Sequence, residues 1–257
     1  MNSLFECVVV VAPVMHEANH RSAMYTQLLA GDLVERVEDL PSVWMAVKLQ
    51  GDAMIGYVLK AHVRATQRTI AHPHCLLPGE LGYPTQPYGS FLVPGTRYIL
   101  EEGSRARTAG FLVELSQKSN QDLQPELLRK LLDGFLGSPY QWGGITPWGI
   151  DCSGLVVQFY RWLGLSLPHL ASKQFELGET VDFIQSARFG DLAFFEDAQG
   201  IVYHVGILLN DREMIHSSER NGGVAIDWID QEGIVNKRSM ERTHKLRLIR
   251  RLHHQLA

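Results

Sequence analysis

The strongest limit on how this chain can fold is the stretch 140–156, YQWGGITPWGIDCSGLV, where a loop carrying Gly143, Gly144, Pro147 and Gly149 runs into Asp151-Cys152-Ser153-Gly154. Beyond it Leu155, Val156, Phe159, Tyr160 and Leu163 recur at helical spacing, which predicts a helix with one apolar face. An aspartate caps a helix well because its carboxylate accepts N–H groups of the first turn. Asp151 is therefore expected at the cap and Cys152 in the first turn. Unpaired N–H groups and the helix macrodipole favour a thiolate there, so Cys152 is the candidate nucleophile. Position supplies only part of that stabilisation, and a neighbouring imidazolium has to supply the rest.

The imidazole is found downstream. Residues 202–209 (VYHVGILL) and 213–218 (EMIHSS) read as strands on either side of Asn210-Asp211-Arg212, a turn segment, and together they predict a hairpin. A turn centred near Asn210 sets His204 directly opposite His216, on one face, with Cβ atoms about 4.5–5.5 Å apart. His216 can then hydrogen-bond His204 and hold its tautomer. The expected machinery is a Cys152 nucleophile, a His204 base and a His216 orienter, the logic of a cysteine-peptidase triad. The remaining nine histidines are expected at surface or structural places. His16, His20, His62, His72 and His74 cluster in sequence but form no metal-binding pattern, and no metal or organic cofactor is expected.

Composition sets the outer bounds. An apolar fraction of 45%, a charged fraction of 20% and a net charge of −4 describe an ordinary globular protein with no overall pull toward nucleic acid or an anionic membrane. No apolar run is long enough for a transmembrane helix. Met1-Asn2-Ser3 lacks positive charge and residues 8–11 are all valine, so the start reads as a first strand and not a signal peptide. Three widely spaced cysteines give no disulfide framework or zinc spacing, and Cys7 and Cys75 are expected as packing residues in a reducing, cytoplasmic compartment. Residues 237–257 hold seven Lys or Arg against Glu241, a run read as a solvated face with a surface strand in it.

Upstream of the nucleophile the pattern is mostly β. Short strands at 5–12, 32–37, 44–49 and 55–59 suggest a small barrel, a second all-β segment runs over 76–115, and 65–73 links them. From residue 122 the pattern turns helical, with Leu123, Leu127, Leu128, Leu131, Leu132 and Phe135 in a stripe that Gly137 ends.

The order YxWGG (140–144), DCSGLV (151–156), GDLxFF (190–195), HVGI (204–207) and IHxS (215–218) resembles the NlpC family of papain-like cell-wall cysteine peptidases. The segment 27–32 with Trp44 and Gly56-Tyr57-Val58 resembles the bacterial SH3-like domains that precede the catalytic domain in some members. The resemblance implies a multidomain chain: an SH3-like barrel over 1–66, a second SH3-like all-β domain over 67–118, and an α+β papain-like, NlpC-type catalytic domain over 119–257. It implies that Tyr140 borders the reacting carbonyl and helps hold the oxyanion, that Trp142 packs the loop, and that Asp151 and Ser153 face the substrate. The implied substrate is a short murein peptide with a free N-terminal L-Ala, cut between γ-D-Glu and the diamino acid.

Certain positions depart from that pattern. Met54 stands where related enzymes place a tyrosine on the substrate amine, Ala23 where they place an acid, and Glu17 is the candidate to replace that acid. After the nucleophile helix a PR-x-S stretch reads Pro168-His169-Leu170-Ala171-Ser172, without the arginine. Two other classes stay open from sequence: a murein-binding protein with an inactive catalytic domain, and a papain-like acyltransferase or amidase on another substrate.

Overall fold

The computed structural model describes residues 3–68, 74–78, 82–84, 92–102, 104–109, 111–115 and 123–252. Two compact units emerge: residues 1–122 with 142–146 and 160–167, and residues 123–141 with 147–159 and 168–257.

The first unit is antiparallel β. β1 (Leu4–Cys7), β2 (Val11–Met15), β3 (Met24–Leu29), β4 (Leu33–Asp39), β5 (Trp44–Leu49), β6 (Ile55–Leu59) and β7 (Val63–Ala65) form one sheet in the order β3-β2-β6-β5-β4-β1-β7. The strand expected over 5–12 is instead two strands. Val8 gives its N–H to His62 O at 2.9 Å, the chain bends at Val9 and Val10, and pairing resumes with β3 at Val11. Five further strands, β8 (His74–Cys75), β9 (Gly82–Pro84), β10 (Arg97–Leu100), β11 (Arg105–Thr108) and β12 (Phe111–Leu115), make a second sheet in the order β8-β10-β11-β12-β9. Ala30 from the first sheet region shares one core with Leu76, Leu92, Tyr98, Ala106 and Val113, so packing runs across residue 66 without a break. The link expected over 65–73 lies partly outside the described residues, and with it His72. Cys7 is fully buried and Cys75 half-buried.

The second unit begins with α1 (Pro125–Asp133), which has proline at its start and buries Leu128, Leu131 and Leu132. Along the chain, β13 (Ile145–Thr146), counted with the first unit, and β14 (Gly149–Ile150) precede α2 (Cys152–Trp162), whose residues from 160 on also count with the first unit, and α3 (Ala171–Gln174) follows it. Leu155, Val156, Phe159 and Tyr160 are completely buried, the face that the spacing predicted. Trp142, expected to pack the loop, is 56% exposed.

Seven strands complete this unit: β15 (Glu179–Val181), β16 (Leu192–Glu196), β17 (Val202–Leu208), β18 (Glu213–Ser218), β19 (Gly223–Asp230), β20 (Gly233–Val235) and β21 (Arg242–Arg251). Their order is β15-β21-β16-β17-β18-β19-β20, and β20 also pairs with β21, so six of them close on themselves. Ala193, Phe195, Leu208, Met214, Ile229, Ile234 and Ile249 share the core on one face of that sheet. The basic run does hold a strand with a solvated face, Lys245 and Arg247 keeping 71% and 52% of their side chains exposed. β21 pairs with β15, β16 and β20, and its charges are used within the unit: Lys245 Nζ lies 2.7 Å from Glu196, Arg251 2.6 Å from Asp191, and Arg250 Nε donates to Phe175 O at 3.0 Å. Residues 253–257 of the run lie outside the described residues. Among the described residues no helix is long and apolar enough to cross a membrane.

Candidate active site

Cys152 opens α2, and Asp151 caps it. Asp151 Oδ1 accepts the N–H of Gly154 at 2.6 Å and the Ser153 hydroxyl at 3.1 Å, so the first turn is tied to the residue that precedes it. A second strand fastens the same point, since the Ser217 hydroxyl donates to Ile150 O at 2.7 Å. Backbone N–H groups of Val205, Ser153 and Cys152 itself point at the sulfur, which sets the nucleophile against β17 beside His204.

The hairpin that carries the histidines has a different register from the expected one. β17 and β18 pair Ile207 with Ile215 and Leu208 with Met214, so the turn is centred on Asp211. Asn210 is the reason: its Oδ1 accepts the N–H groups of Arg212 at 2.8 Å and Glu213 at 2.9 Å, which makes it the flank of the turn and not its middle. The same pairing carried on sets His216 against Gly206, with His204 one step along the diagonal. A shift of two residues preserves strand parity, and both imidazoles stay on one face. His204 Nε2 lies 2.8 Å from His216 Nδ1, with the rings 5.1 Å apart at 76°. Gly206 makes room for this, because a Cβ there would sit 3.0 Å from His216 Cβ and run into Met214.

Three groups absent from the expected site belong to it in space. His216 Nε2 lies 3.1 Å from Asp227 Oδ2. His244, placed by sequence among the structural histidines, stacks on His204 with ring centres 4.3 Å apart, and Tyr203 stacks on His244 at 5.7 Å. His169, which stands where the resemblance expects arginine, puts Nε2 3.0 Å from Asp151 Oδ2, and both are buried. Of these, His169 was visible in sequence as a departure from the motif. Asp227 and His244 lie on strands whose pairing no local pattern reveals.

Burial sets the charge state of this pocket. It pushes the Cys152 thiol up to about 12, the charge of Asp151 adds to the effect, and the three N–H groups only partly oppose it. Burial, followed by the nearness of His216 and His244, holds His204 well below the ordinary imidazole value. His244 is held down to about 4 by burial, then by His216 and Arg220. Burial thus opposes charge on both the thiol and the imidazole, working against the thiolate that the helix N–H groups favour.

Burial, then the charges of Cys152, Asp151 and Glu219, push the Tyr140 hydroxyl up, so it stays protonated within electrostatic reach of the sulfur. Its backbone is fixed by a bond from Tyr140 N–H to Gly222 O at 3.0 Å. Asp151 and Ser153, expected to face substrate, are 4% and 5% exposed, and both oxygens of Asp151 have partners within the unit. Asp151 has the geometry of a cap, and the Ser153 hydroxyl donates to it. Glu17 belongs to the first unit, where it is exposed and its Oε2 accepts Asn19 Nδ2 at 3.0 Å. Replacing Asp151 by alanine removes the cap and leaves His169 without its carboxylate, and is expected to lower stability by about 1–2 kcal/mol in chemical denaturation, with Asp151→Asn recovering most of the loss.

The NlpC/P60 family model matches residues 137–243. A probable endopeptidase of Haemophilus influenzae is 38% identical over 140 residues, which cover 53% of this chain and 86% of that protein. The γ-D-glutamyl-L-lysine dipeptidyl-peptidase of Bacillus subtilis is 37% identical over 94 residues, 36% of this chain and only 31% of that protein. In fold, the chain is similar to the crystal structure of an NlpC/P60 family protein from Bacillus cereus, with a TM-score of 0.74 over 97% of this chain and 99% of the other at 21% identity.

Proposed function

The chain belongs to the NlpC/P60 family of cysteine peptidases, and from that premise we propose that it hydrolyses the bond between γ-D-Glu and the L-diamino acid of short murein peptides with a free N-terminal L-Ala. The observation that carries the reading is the buried His204–His216 pair, with its 2.8 Å imidazole–imidazole bond, on the strand whose Val205 N–H meets the Cys152 sulfur. The Bacillus subtilis relative's name supports the choice of bond. The N-terminal sheets are then SH3-like barrels.

The chemistry follows from that burial, which opposes charge on both groups until substrate is bound. As the sulfur attacks the amide carbonyl and the C–S bond forms, the thiol proton passes to the free nitrogen of His204, so charge develops only when the substrate is there to use it. The oxyanion is met by the backbone N–H of Cys152 and the Tyr140 hydroxyl. Imidazolium then protonates the leaving amine, which departs, and His204 takes a proton from the water that hydrolyses the thioester. Each step needs only side chains already in place.

Mass spectrometry tests the reading on L-Ala-γ-D-Glu-diaminopimelate and its L-Lys counterpart, each beside its N-acetylated form. Cleavage of the free peptides alone is the expected result. Equal cleavage of the acetylated forms means that the free amine is not recognised, and cleavage of none moves the activity to another amide.

A further inference from the structure

The imidazole pair has a direction that the pair itself cannot set. His204 Nε2 is tied to His216, so Nδ1 is the nitrogen left for the thiol proton, and it must be bare to take it. Two histidines facing each other can share their hydrogen either way. The far side of His216 decides between them.

There His216 Nε2 meets Asp227, which lies on β19 opposite Met214 while Ala225 lies opposite His216, so the carboxylate reaches the ring along the diagonal. Its Oδ2 also accepts Nδ2 of Asn221 at 2.9 Å and Nδ2 of Asn236 at 3.0 Å, and its Oδ1 accepts the N–H of Lys237 at 2.8 Å. Asn236 Nδ2 donates to Asn221 Oδ1 as well, at 2.6 Å, which fixes how the first amide is turned. Burial opposes a charge on Asp227, but the bonds from His216, Asn221 and Lys237 overcome it and hold the carboxyl well below the usual carboxylate range. An ionised carboxylate only accepts. His216 must therefore carry its hydrogen on Nε2, its Nδ1 must accept from His204 Nε2–H, and His204 Nδ1 is left bare.

We propose that Asp227 is a positioning residue of the peptidase, the buried acceptor that sets the tautomers of His216 and His204 and steadies the imidazolium formed when Cys152 gives up its proton. It acts through His216. Among the described residues the other titratable rings on the pair are Tyr203, 6.3 Å from His204, and His244, 4.3 Å from His204 and 6.0 Å from His216, with Arg220 beyond His244, and none of them is an anion at neutral pH. Asp227 is the carboxylate bonded to the relay.

The role in catalysis rests on the proposed peptidase activity, whereas the tautomers do not, so both are measured. In 15N spectra of the intact protein labelled at histidine, His204 and His216 are each expected to carry hydrogen on Nε2 with a bare Nδ1. In Asp227→Asn the charge is gone, and either orientation of the new amide turns its NH2 onto a donor. The expected results are mixed tautomers at His216, a protonation midpoint of the pair lower by about one pH unit, and an acid limb of kcat/KM that moves down with it. On a cleaved peptide kcat is expected to fall about 10²-fold with KM unchanged. Asn221→Ala leaves the carboxylate one donor short and shifts the midpoint the opposite way, upward. A His216 hydrogen on Nδ1 in the unaltered protein overturns the proposal without any variant, as does an Asp227→Asn protein with unchanged tautomers and midpoint. Failure of every murein peptide to react overturns the peptidase reading while the spectra still decide the part played by Asp227.

Discussion

Cys152→Ala is expected to lower kcat on the γ-D-glutamyl-L-diamino-acid peptides by on the order of 10⁶-fold, to the background of the assay. The sulfur is the atom that forms and breaks the covalent bond, so neither the oxyanion donors nor the imidazoles can act without it. The fold loses little by the change. Only a sulfur atom is removed, the Cβ stays in the first turn, and Asp151 still caps the helix through Gly154 N–H and the Ser153 hydroxyl. Parallel melting curves and peptide cleavage by mass spectrometry therefore separate chemistry from folding. Residual activity within 10²-fold of the unaltered protein, on the same scale of argument, places the bond-forming atom elsewhere.

The parts of this molecule legible in its sequence are those set by local physics. β5 (Trp44–Leu49) and β6 (Ile55–Leu59) fall where alternation and turn residues put them, and α2 begins at Cys152 because Asp151 can cap it. What failed locally was overridden by partners far along the chain. Residues 5–12 look like one strand, yet Cys7 N–H is taken by Asp32 O and Val8 N–H by His62 O, and the run breaks there. The basic segment keeps the solvated face it suggests, with Lys245 71% exposed, but nothing nearby shows that Glu196 and Asp191 wait across the sheet for Lys245 and Arg251.

The site divides in the same way. His204 and His216 could be paired from a hairpin argument whose register was wrong by two residues, and the pairing survived because parity, not register, decides which face a side chain takes. Asp227 could not be reached by such an argument. Its bond to His216 depends on the β18–β19 register, and its ionisation depends on Asn221, Asn236 and the Lys237 amide, three residues that carry no catalytic pattern of their own. The charge state of Cys152 was also out of reach, since a helix terminus says where N–H groups point but not how much water the finished pocket excludes.

His204→Gln tests that charge state and is expected to lower kcat about 10⁴-fold, because the thiol then has no base within reach of its proton. Alkylation of Cys152 by iodoacetamide shows why. In the unaltered protein the reactive thiolate forms by proton transfer inside the enzyme, from Cys152 to His204, with no exchange of protons with solvent. Its fraction, and hence the alkylation rate, is expected to stay flat from the pH at which His204 sheds its proton up to the ionisation of the thiol. That flat region is wide, since burial moves the imidazole down and the thiol up to about 12. Without His204 the thiolate can arise only by loss of a proton to water, so the rate starts far lower at neutral pH and climbs about tenfold for each pH unit. A flat profile in His204→Gln would show that another group takes the proton, and His244, stacked 4.3 Å from the ring removed, would be the base to test next.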